Sequence, residues 1–387
     1  MSDRDLLSLL GVLAAQGTLN NAGALLLCRR DVAHPVAVYQ YRRTPGGEPT
    51  VIERLETPLL LTFSRLMELI NARQNITPVN LPDGQQLQIK DFPDVPVRES
   101  TVNALIHGDH RLGSPIQIEH SPAVFSVRSP GPLVAGITPA NIITHSSKPR
   151  YPVLTKAVRV LGLAEEVGQG IDRMYREMIA AGKEVPQIEE SYEEVRVALL
   201  GGAPNTRITK YIATLPTEER QDTDTLLTIV RLCNKKTVTA QKMAPVMQRR
   251  VEEAEESLRR LSSEAIAMLE RTRESARRAF PTYRFRGPAL QALGRAVRYQ
   301  RRTWDEIDRK VVEHVEDYGK INNRTLQRLF DVDVYQARSM LADLVQREVL
   351  VKRSGAERGP SVAYAPGGKF PGMGRQARKR ESDDGTY

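Results

Sequence analysis

Cysteine is almost missing from this sequence: Cys28 and Cys233 are the only two among 387 residues. Two thiols so far apart support neither a disulfide framework nor a cysteine-ligated metal cluster, and a reducing, cytoplasmic setting is expected. No apolar run approaches the roughly 18 residues that a membrane-spanning helix needs. The first residues carry Asp3, Arg4 and Asp5 where a secretory leader would place a basic start and an apolar stretch, so no leader is expected. No GxxxxGK[ST] stretch occurs either, which excludes a P-loop motor.

Positive charge is scarce in the first half of the chain. Residues 1–202 carry 20 Lys+Arg against 22 Asp+Glu, whereas residues 203–387 carry 36 against 25. The whole positive excess, formally +9, therefore sits C-terminally. A basic half on a neutral half is the footprint of a nucleic-acid-binding appendage. A solvated basic surface is the plainer reading of the same numbers. With 40% apolar residues the chain can build real cores, and its length suits two or three domains.

Periodicity predicts an α+β domain over residues 1–202. Leu6, Leu7, Leu10 and Leu13 suggest a short helix, Gly17 a turn, and 25–28 the end of a helix or strand. The β-branched and aromatic content of 35–42 predicts a strand. Residues 51–55 return as its partner across Pro45-Gly46-Gly47. Leu61, Phe63, Leu66, Leu69 and Ile70 put one buried face on a helix over 58–72. A strand at 86–90, a helix over 95–106, a hairpin of 116–119 with 124–128, helices over 151–161 and 170–181, and a strand at 194–200 complete it. Gly201-Gly202-Ala203-Pro204-Asn205 reads as a linker. Beyond it a helix–helix–helix–hairpin pattern occurs twice, over 203–302 and 303–366. The Gly-, Arg- and Lys-rich segment 367–387 reads as a disordered basic tail.

The densest chemistry lies in 95–110. Glu99, Asn103 and His107 fall at i, i+4 and i+8 on one helical face. A carboxylate one turn from an amide suits a magnesium–nucleotide site, because the carboxylate can polarise a water and the amide oxygen can ligate Mg²⁺. Spacing alone favours a plain polar outer face. The order of the downstream segments outweighs that reading. Ser129-Pro130-Gly131 comes directly after a strand, then His145-Ser146-Ser147-Lys148-Pro149-Arg150 forms a polar, basic loop, and Gly168-Gln169-Gly170 opens a helix. Glycines at a helix start let backbone N–H groups approach phosphate, where the helix dipole favours an anion.

In that order and spacing, residues 96–188 resemble the family known as the C-terminal domain of RecG-type ATP-dependent DNA helicases. That family is a branch of the GHKL (gyrase, Hsp90, histidine kinase, MutL) ATPases, with an α/β-sandwich ATP-binding domain. Leu19-Asn20-Asn21-Ala22-Gly23-Ala24-Leu25 resembles the segment ahead of that domain in the same proteins. The resemblance implies ATP and Mg as cofactors. It implies Glu99 as general base, Asn103 as the magnesium ligand, Gly131 in the adenine-side loop, and Gly168 and Gly170 at the phosphates. His107, Ser129, Ser146, Lys148 and Arg150 complete the nucleotide-binding set. Two departures, Ser129 where true GHKL ATPases place an adenine-reading Asp and a single GxG in the second box, imply binding with at most slow hydrolysis. Relatives often carry a Schlafen/AlbA-type domain ahead of this region, and this chain is expected to lack it.

Residues 303–366 resemble a winged helix-turn-helix. Trp304, Ile307, Val311, Val315 and Tyr318 space a first core helix. Asn322 or Asn323 caps a short second helix that buries Leu326 and Leu329. A third helix over 334–348 buries Ala337, Leu341, Leu344 and Val345. Its free face presents Tyr335, Gln336, Arg338, Ser339 and Arg347 to a major groove. Lys352, Arg353 and Arg358 then lie on a basic wing suited to backbone contact. The same fold also serves protein contacts and dimerisation. Residues 203–302 read as a divergent copy in which Glu252, Glu253, Glu255 and Glu256 crowd the third helix, so packing or dimerisation is expected there, with DNA contact through Arg271, Arg273, Arg277, Arg278, Arg284 and Arg286 as the lesser option.

The combined expectation is an ATP-binding regulator of double-stranded DNA, acting as a homodimer away from membranes, in which nucleotide state biases the winged helices. A slow Mg-dependent ATPase within a DNA-processing or phage-defence assembly is the enzymatic alternative. A scaffold with a decayed nucleotide site is the third.

Overall fold

The computed structural model describes residues 2–164, 169–297, 304–330, 332–353 and 362–370, without the side chains of 304–307 and 309. The chain divides into two compact units, Met1–Tyr299 and Gln300–Tyr387.

The first unit begins with α1 (Asp3–Leu9), α2 (Asn21–Leu27), β1 (Ala37–Arg42), β2 (Pro49–Leu55) and α3 (Leu59–Asn71). It continues through β3 (Ile76–Asn80), β4 (Gln86–Lys90), α4 (Asp94–His107), β5 (Ile116–His120) and β6 (Val124–Pro130). Then come α5 (Pro152–Val160), α6 (Gly170–Ala180), β7 (Gln187–Glu190) and β8 (Glu194–Leu200). Six strands form one mixed sheet in the order β2-β1-β5-β6-β8-β7. Only β1 and β5 run parallel, with Ala37 beside Ile116. Parallel neighbours need a crossover, and the chain from β2 to α4 supplies it. Alternation sends Ala37, Tyr39, Ile116, Ile118, Phe125 and Val127 into a core shared with Phe63, Leu66, Leu105, Val158 and Met174 of the helices. Across the sheet an ionic ladder links Arg42 to Glu119 at 3.8 Å, Glu119 to Arg128 at 3.7 Å and Arg128 to Glu194 at 3.7 Å.

Within residues 1–202 two strands were not expected. β3 carries Pro78, a residue that argues against a strand, and it pairs only with β4 in a separate two-stranded ribbon. β7 is a four-residue edge strand with three exposed positions, too short and too polar to leave a period.

The glycine pair that reads as a linker is a packed corner. A Cβ on Gly201 would collide with the Pro122 carbonyl and the Phe92 ring. Lys183 Nζ donates to the Gly202 carbonyl, and Asn205 N–H donates to the Gly182 carbonyl at 2.8 Å. Beyond it lie α7 (Thr206–Ala213), α8 (Thr217–Arg220), α9 (Thr223–Asn234), α10 (Ala240–Met247), α11 (Val251–Leu261), β9 (Leu269–Arg271), β10 (Tyr283–Phe285) and α12 (Gly287–Leu293). Their core takes in Tyr175 and Ile179 of α6 together with Tyr211, Leu226, Met243 and Leu258. The division at residue 202 is thus not a break in packing, because α6 belongs to both cores. β9 and β10 form a hairpin, and Val238 bridges to Tyr283. One of the four α11 carboxylates, Glu255, is turned inward and accepts from Tyr283 Oη at 2.6 Å.

The second unit comprises α13 (Trp304–Tyr318), β11 (Ile321–Asn322), α14 (Asn323–Phe330), α15 (Val334–Gln346), β12 (Leu350–Lys352) and β13 (Ala363–Pro366). Its three-stranded sheet has the order β11-β13-β12. Val311, Val315, Leu326, Phe330, Ala337, Leu341 and Leu344 make its core. Tyr318, expected in that core, is instead 70% exposed and stacks on His314 at 4.6 Å. Asn322 is the cap, accepting from Thr325 N–H at 2.8 Å. The supposed tail begins as structure: Gly367 N–H donates to the Val349 carbonyl at 2.9 Å and Phe370 is buried. Among the described residues no helix is long and apolar enough to cross a membrane.

Candidate nucleotide site

Pro93 precedes α4 and Gly108 ends it. Most of its surface is buried, Val97 and Leu105 among the core residues, and Glu99 with them. The stripe of Glu99, Asn103 and His107 does not face bulk solvent. It lines a cleft bounded by β6, β7 and β8 of the sheet, by α5 and α6, and by the loop between β6 and α5. The cleft is concave and opens to solvent at its mouth.

One set of walls is apolar: Val127, Ile137, Ile171 and Val197. The other is polar and bears Glu99, Asn103, His107, Ser146, Ser147, Lys148, Arg150, Thr155, Arg159 and Gly170. Gly170 opens α6 directly against Glu99, so a Cβ there would collide with the Glu99 carboxylate. Burial raises the Glu99 pKa against the opposing charges of Arg98 and Arg173. Burial, and then the charges of Arg150 and Arg159, push His107 down to about 4, so its imidazole is neutral at pH 7.

Of the residues expected in the site, Glu99, Asn103, His107, Ser129, Ser146, Lys148, Arg150 and Gly170 all line this one cleft. Gly168 lies outside the described residues. Gly131 does not line the cleft. Its φ of +79° and the 2.8 Å approach of Asp109 Cβ to any added Cβ give it a packing reason to be glycine. Its N–H donates to the Glu193 carbonyl at 2.7 Å.

Two of the expected cations are already engaged by protein oxygens. Lys148 Nζ donates to the Ala135 carbonyl at 2.9 Å. Arg150 Nε donates to the His107 carbonyl at 2.7 Å and Nη2 to the Pro132 carbonyl, with Nη1 3.8 Å from Asp109. Arg150 therefore ties α4 to the chain leaving β6 rather than presenting a bare charge. Asp109, unforeseen in the sequence, organises that corner. It accepts from Arg111 at 2.8 and 2.6 Å and from Tyr151 Oη at 2.9 Å. Led by the Arg111 bonds, these contacts hold its carboxyl well below the usual range.

Three further residues were not anticipated. Thr155 and Arg159 stand one turn apart on α5 and both line the cleft; the i, i+4 spacing that singled out Glu99 and Asn103 applies to them equally. Gln248, between α10 and α11, is the third. Its side chain accepts from Ile143 N–H at 2.7 Å and donates to the Pro139 carbonyl at 2.8 Å, and its carbonyl accepts from Thr144 Oγ1 at 3.0 Å. The loop that walls the cleft is thereby fastened to the following helical region.

Residues 113–199 match the model of the family described as "Putative ATP-dependent DNA helicase recG C-terminal". That stretch is therefore similar to an ATPase-type family. The matched stretch starts after α4, so the placement of Glu99, Asn103 and His107 rests on the geometry of the cleft itself. Among solved structures, the chain is similar to the DIP2311 protein from Corynebacterium diphtheriae, with 27% identity and a TM-score of 0.66. That likeness covers 77% of this chain and 60% of the other, so the match spans less than two thirds of that protein. No curated protein matches.

In the second unit, Tyr335 is 80% exposed and Gln336, Arg338 and Ser339 are exposed beside it. Arg347 differs from expectation. It is half-buried and donates to Asp308 at 2.7 and 2.8 Å and to Asp343 at 2.7 Å, so the carboxylates of α13 and α15 hold it. Lys352 and Arg353 are exposed, and Arg358 lies outside the described residues.

Proposed function

We propose that this chain is an ATP-binding regulator of double-stranded DNA, in which nucleotide occupancy of the cleft biases two winged-helix modules. The observation that carries the reading is the convergence of Glu99, Asn103, His107 and Gly170 on one cleft with apolar walls. Apolar side chains suit a purine face, and Asn103 is the amide that would ligate a phosphate-bound Mg²⁺. Bound ATP and Mg²⁺ would supply the electrophilic phosphorus and its charge neutralisation. His107 would stay neutral and offer a hydrogen bond, and Gly170 would let the start of α6 approach an anion.

The winged-helix reading is supported by element order. α9, the Val238 bridge, α10, α11 and the β9–β10 hairpin run in the same sequence as α13, β11, α14, α15 and the β12–β13 pair. In each, the residue or strand after the first helix pairs with the last strand. Tyr335, Gln336, Arg338 and Ser339 would then face a groove. A homodimer would pair such units with a two-fold DNA site.

Slow hydrolysis is a second reading, favoured by the raised pKa of buried Glu99, which makes the carboxylate a better acceptor of a water proton. A thermal-shift series with ATP, ADP and Mg²⁺ on the wild type and Asn103→Ala tests the site. The expected result is a rise in Tm with Mg·ATP that Asn103→Ala reduces. Absence of any nucleotide-dependent rise would reject the proposal and leave a scaffold. A footprint on duplex DNA at low salt tests the second half, and magnesium-dependent phosphate release abolished by Glu99→Ala tests hydrolysis.

A further inference from the structure

The cleft has three cations in its wall, and two of them are tied to protein carbonyls. Arg150 is bound to the carbonyls of His107 and Pro132, and Lys148 to that of Ala135. The third, Arg159, is half-buried near the C-terminal end of α5. Its Nε is buried without a hydrogen-bond partner. Its single hydrogen bond among the described residues is a long one, Nη2 to Ser147 Oγ at 3.4 Å. No carboxylate pairs with it among the described residues. Thr155, one turn earlier, is 2% exposed, and its Oγ1 is likewise buried with no partner.

Two orphaned buried polar groups on one helical face are costly unless something fills the gap. Both are able to donate, and both line the cleft that holds Glu99, Asn103 and Gly170. Arg159 is close enough to His107 for its charge to help depress the imidazole pKa. A donor pair consisting of a guanidinium and a hydroxyl matches a phosphoryl oxyanion and cannot serve a cation.

Building on the nucleotide reading, we propose that Thr155 and Arg159 are the anion-gripping residues of the cleft, binding phosphate oxygens of a nucleotide polyphosphate. Lys148 and Arg150 then have another task, which is holding the wall in place. The site so arranged favours ligands by the length of their phosphate chain, and adenosine gains nothing from these two residues.

The test is a calorimetric titration of the full chain with Mg·ATP, adenosine and inorganic triphosphate, on the wild type and on Arg159→Gln, Arg159→Lys, Thr155→Val and Thr155→Ser. Loss of a charge-assisted hydrogen bond is expected to weaken ATP binding by about tenfold or more in Arg159→Gln, and by several-fold in Thr155→Val. Affinity for adenosine should not change. Arg159→Lys should recover only part of the loss, since the planar fork is gone, and Thr155→Ser should recover nearly all. Equal weakening of ATP and adenosine would overturn the proposal, as would ATP binding indifferent to Arg159. In the latter case the nucleotide reading still stands. Triphosphate binding that depends on Arg159, with Mg·ATP bound no more tightly than triphosphate, would keep the anion grip and remove the nucleotide reading. Should Arg159→Gln fail to fold, the Thr155→Val and Thr155→Ser comparison decides. No binding of any of the three ligands by the wild type overturns both.

Discussion

The side-chain carbonyl of Gln248 accepts the backbone N–H of Ile143 at 2.7 Å, across 105 residues of sequence. With the Pro139 and Thr144 contacts it makes a three-point clasp between the wall of the cleft and the α10–α11 turn. Gln248 itself sits at φ +54°, a conformation that costs a non-glycine residue about 1 kcal/mol or more. The clasp fastens the wall of the cleft to the helices beyond it.

Replacing Gln248 by Ala removes both side-chain bonds while retaining the unfavourable φ. Stability should fall by about 1–2 kcal/mol, and amide exchange should rise specifically over residues 137–145. Unchanged protection there would mean the clasp does not hold the loop.

Gly170 and Glu99 should show strong energetic coupling. Gly170→Ala forces a methyl into the Glu99 carboxylate and is expected to destabilise by about 1–3 kcal/mol. Adding Glu99→Ala should recover much of that loss. Additive effects in the double-mutant cycle, read from chemical denaturation, would contradict the contact.

His120 provides a pH signature unrelated to ligand. It is fully buried among Tyr39, Tyr41, Phe92 and Phe125, with Tyr39 Oη 2.8 Å from its Nδ1. Burial, reinforced by the charge of Arg73, depresses its pKa to about 4. The unfolded chain, titrating near 6.5, binds the proton first. The contribution is therefore complete above about pH 6.5 and declines as pH falls toward 4, by up to about 3 kcal/mol. His120→Phe should make the stability profile less steep in that window when Tm is followed against pH, with His107, depressed to about 4 as well, keeping part of the slope. A profile as steep as the wild type's would assign the acid sensitivity elsewhere.

The exposed and the tethered arginines of the second unit should separate cleanly. Tyr335→Ala and Arg338→Ala are expected to weaken duplex DNA binding about tenfold each, and Arg338→Ala to reduce the salt slope by about one if it contacts phosphate. Arg347→Ala loses its ion pairs with Asp308 and Asp343 and should lower stability by about 1 kcal/mol with the salt slope unaltered. A reduced salt slope in Arg347→Ala would reverse this assignment.

Much of the cleft could be read from the chain alone, because its parts are short-range patterns. Glu99, Asn103 and His107 share a face through helical period, and Gly170 marks a helix start; neither needs knowledge of a distant partner. The helices over 58–72 and 170–181 were legible for the same reason, their apolar stripes being several turns long. β3 and β7 were not, since Pro78 and the charged residues of β7 are tolerated only because each strand has a neighbour on one side alone.

Tertiary structure decided which groups are tied to protein oxygens and which are not. Arg150 and Lys148 look like anion binders in a linear string, yet the carbonyls that engage them come from His107, Pro132 and Ala135. Arg347 looks free until α13 brings Asp308 beside it. Helical period assigns a side chain to a face, but its hydrogen-bond partners are supplied by segments tens of residues away. That is why the clefts and faces were legible in the sequence, while the unpartnered state of Thr155 Oγ1 and Arg159 Nε emerged only from the folded chain.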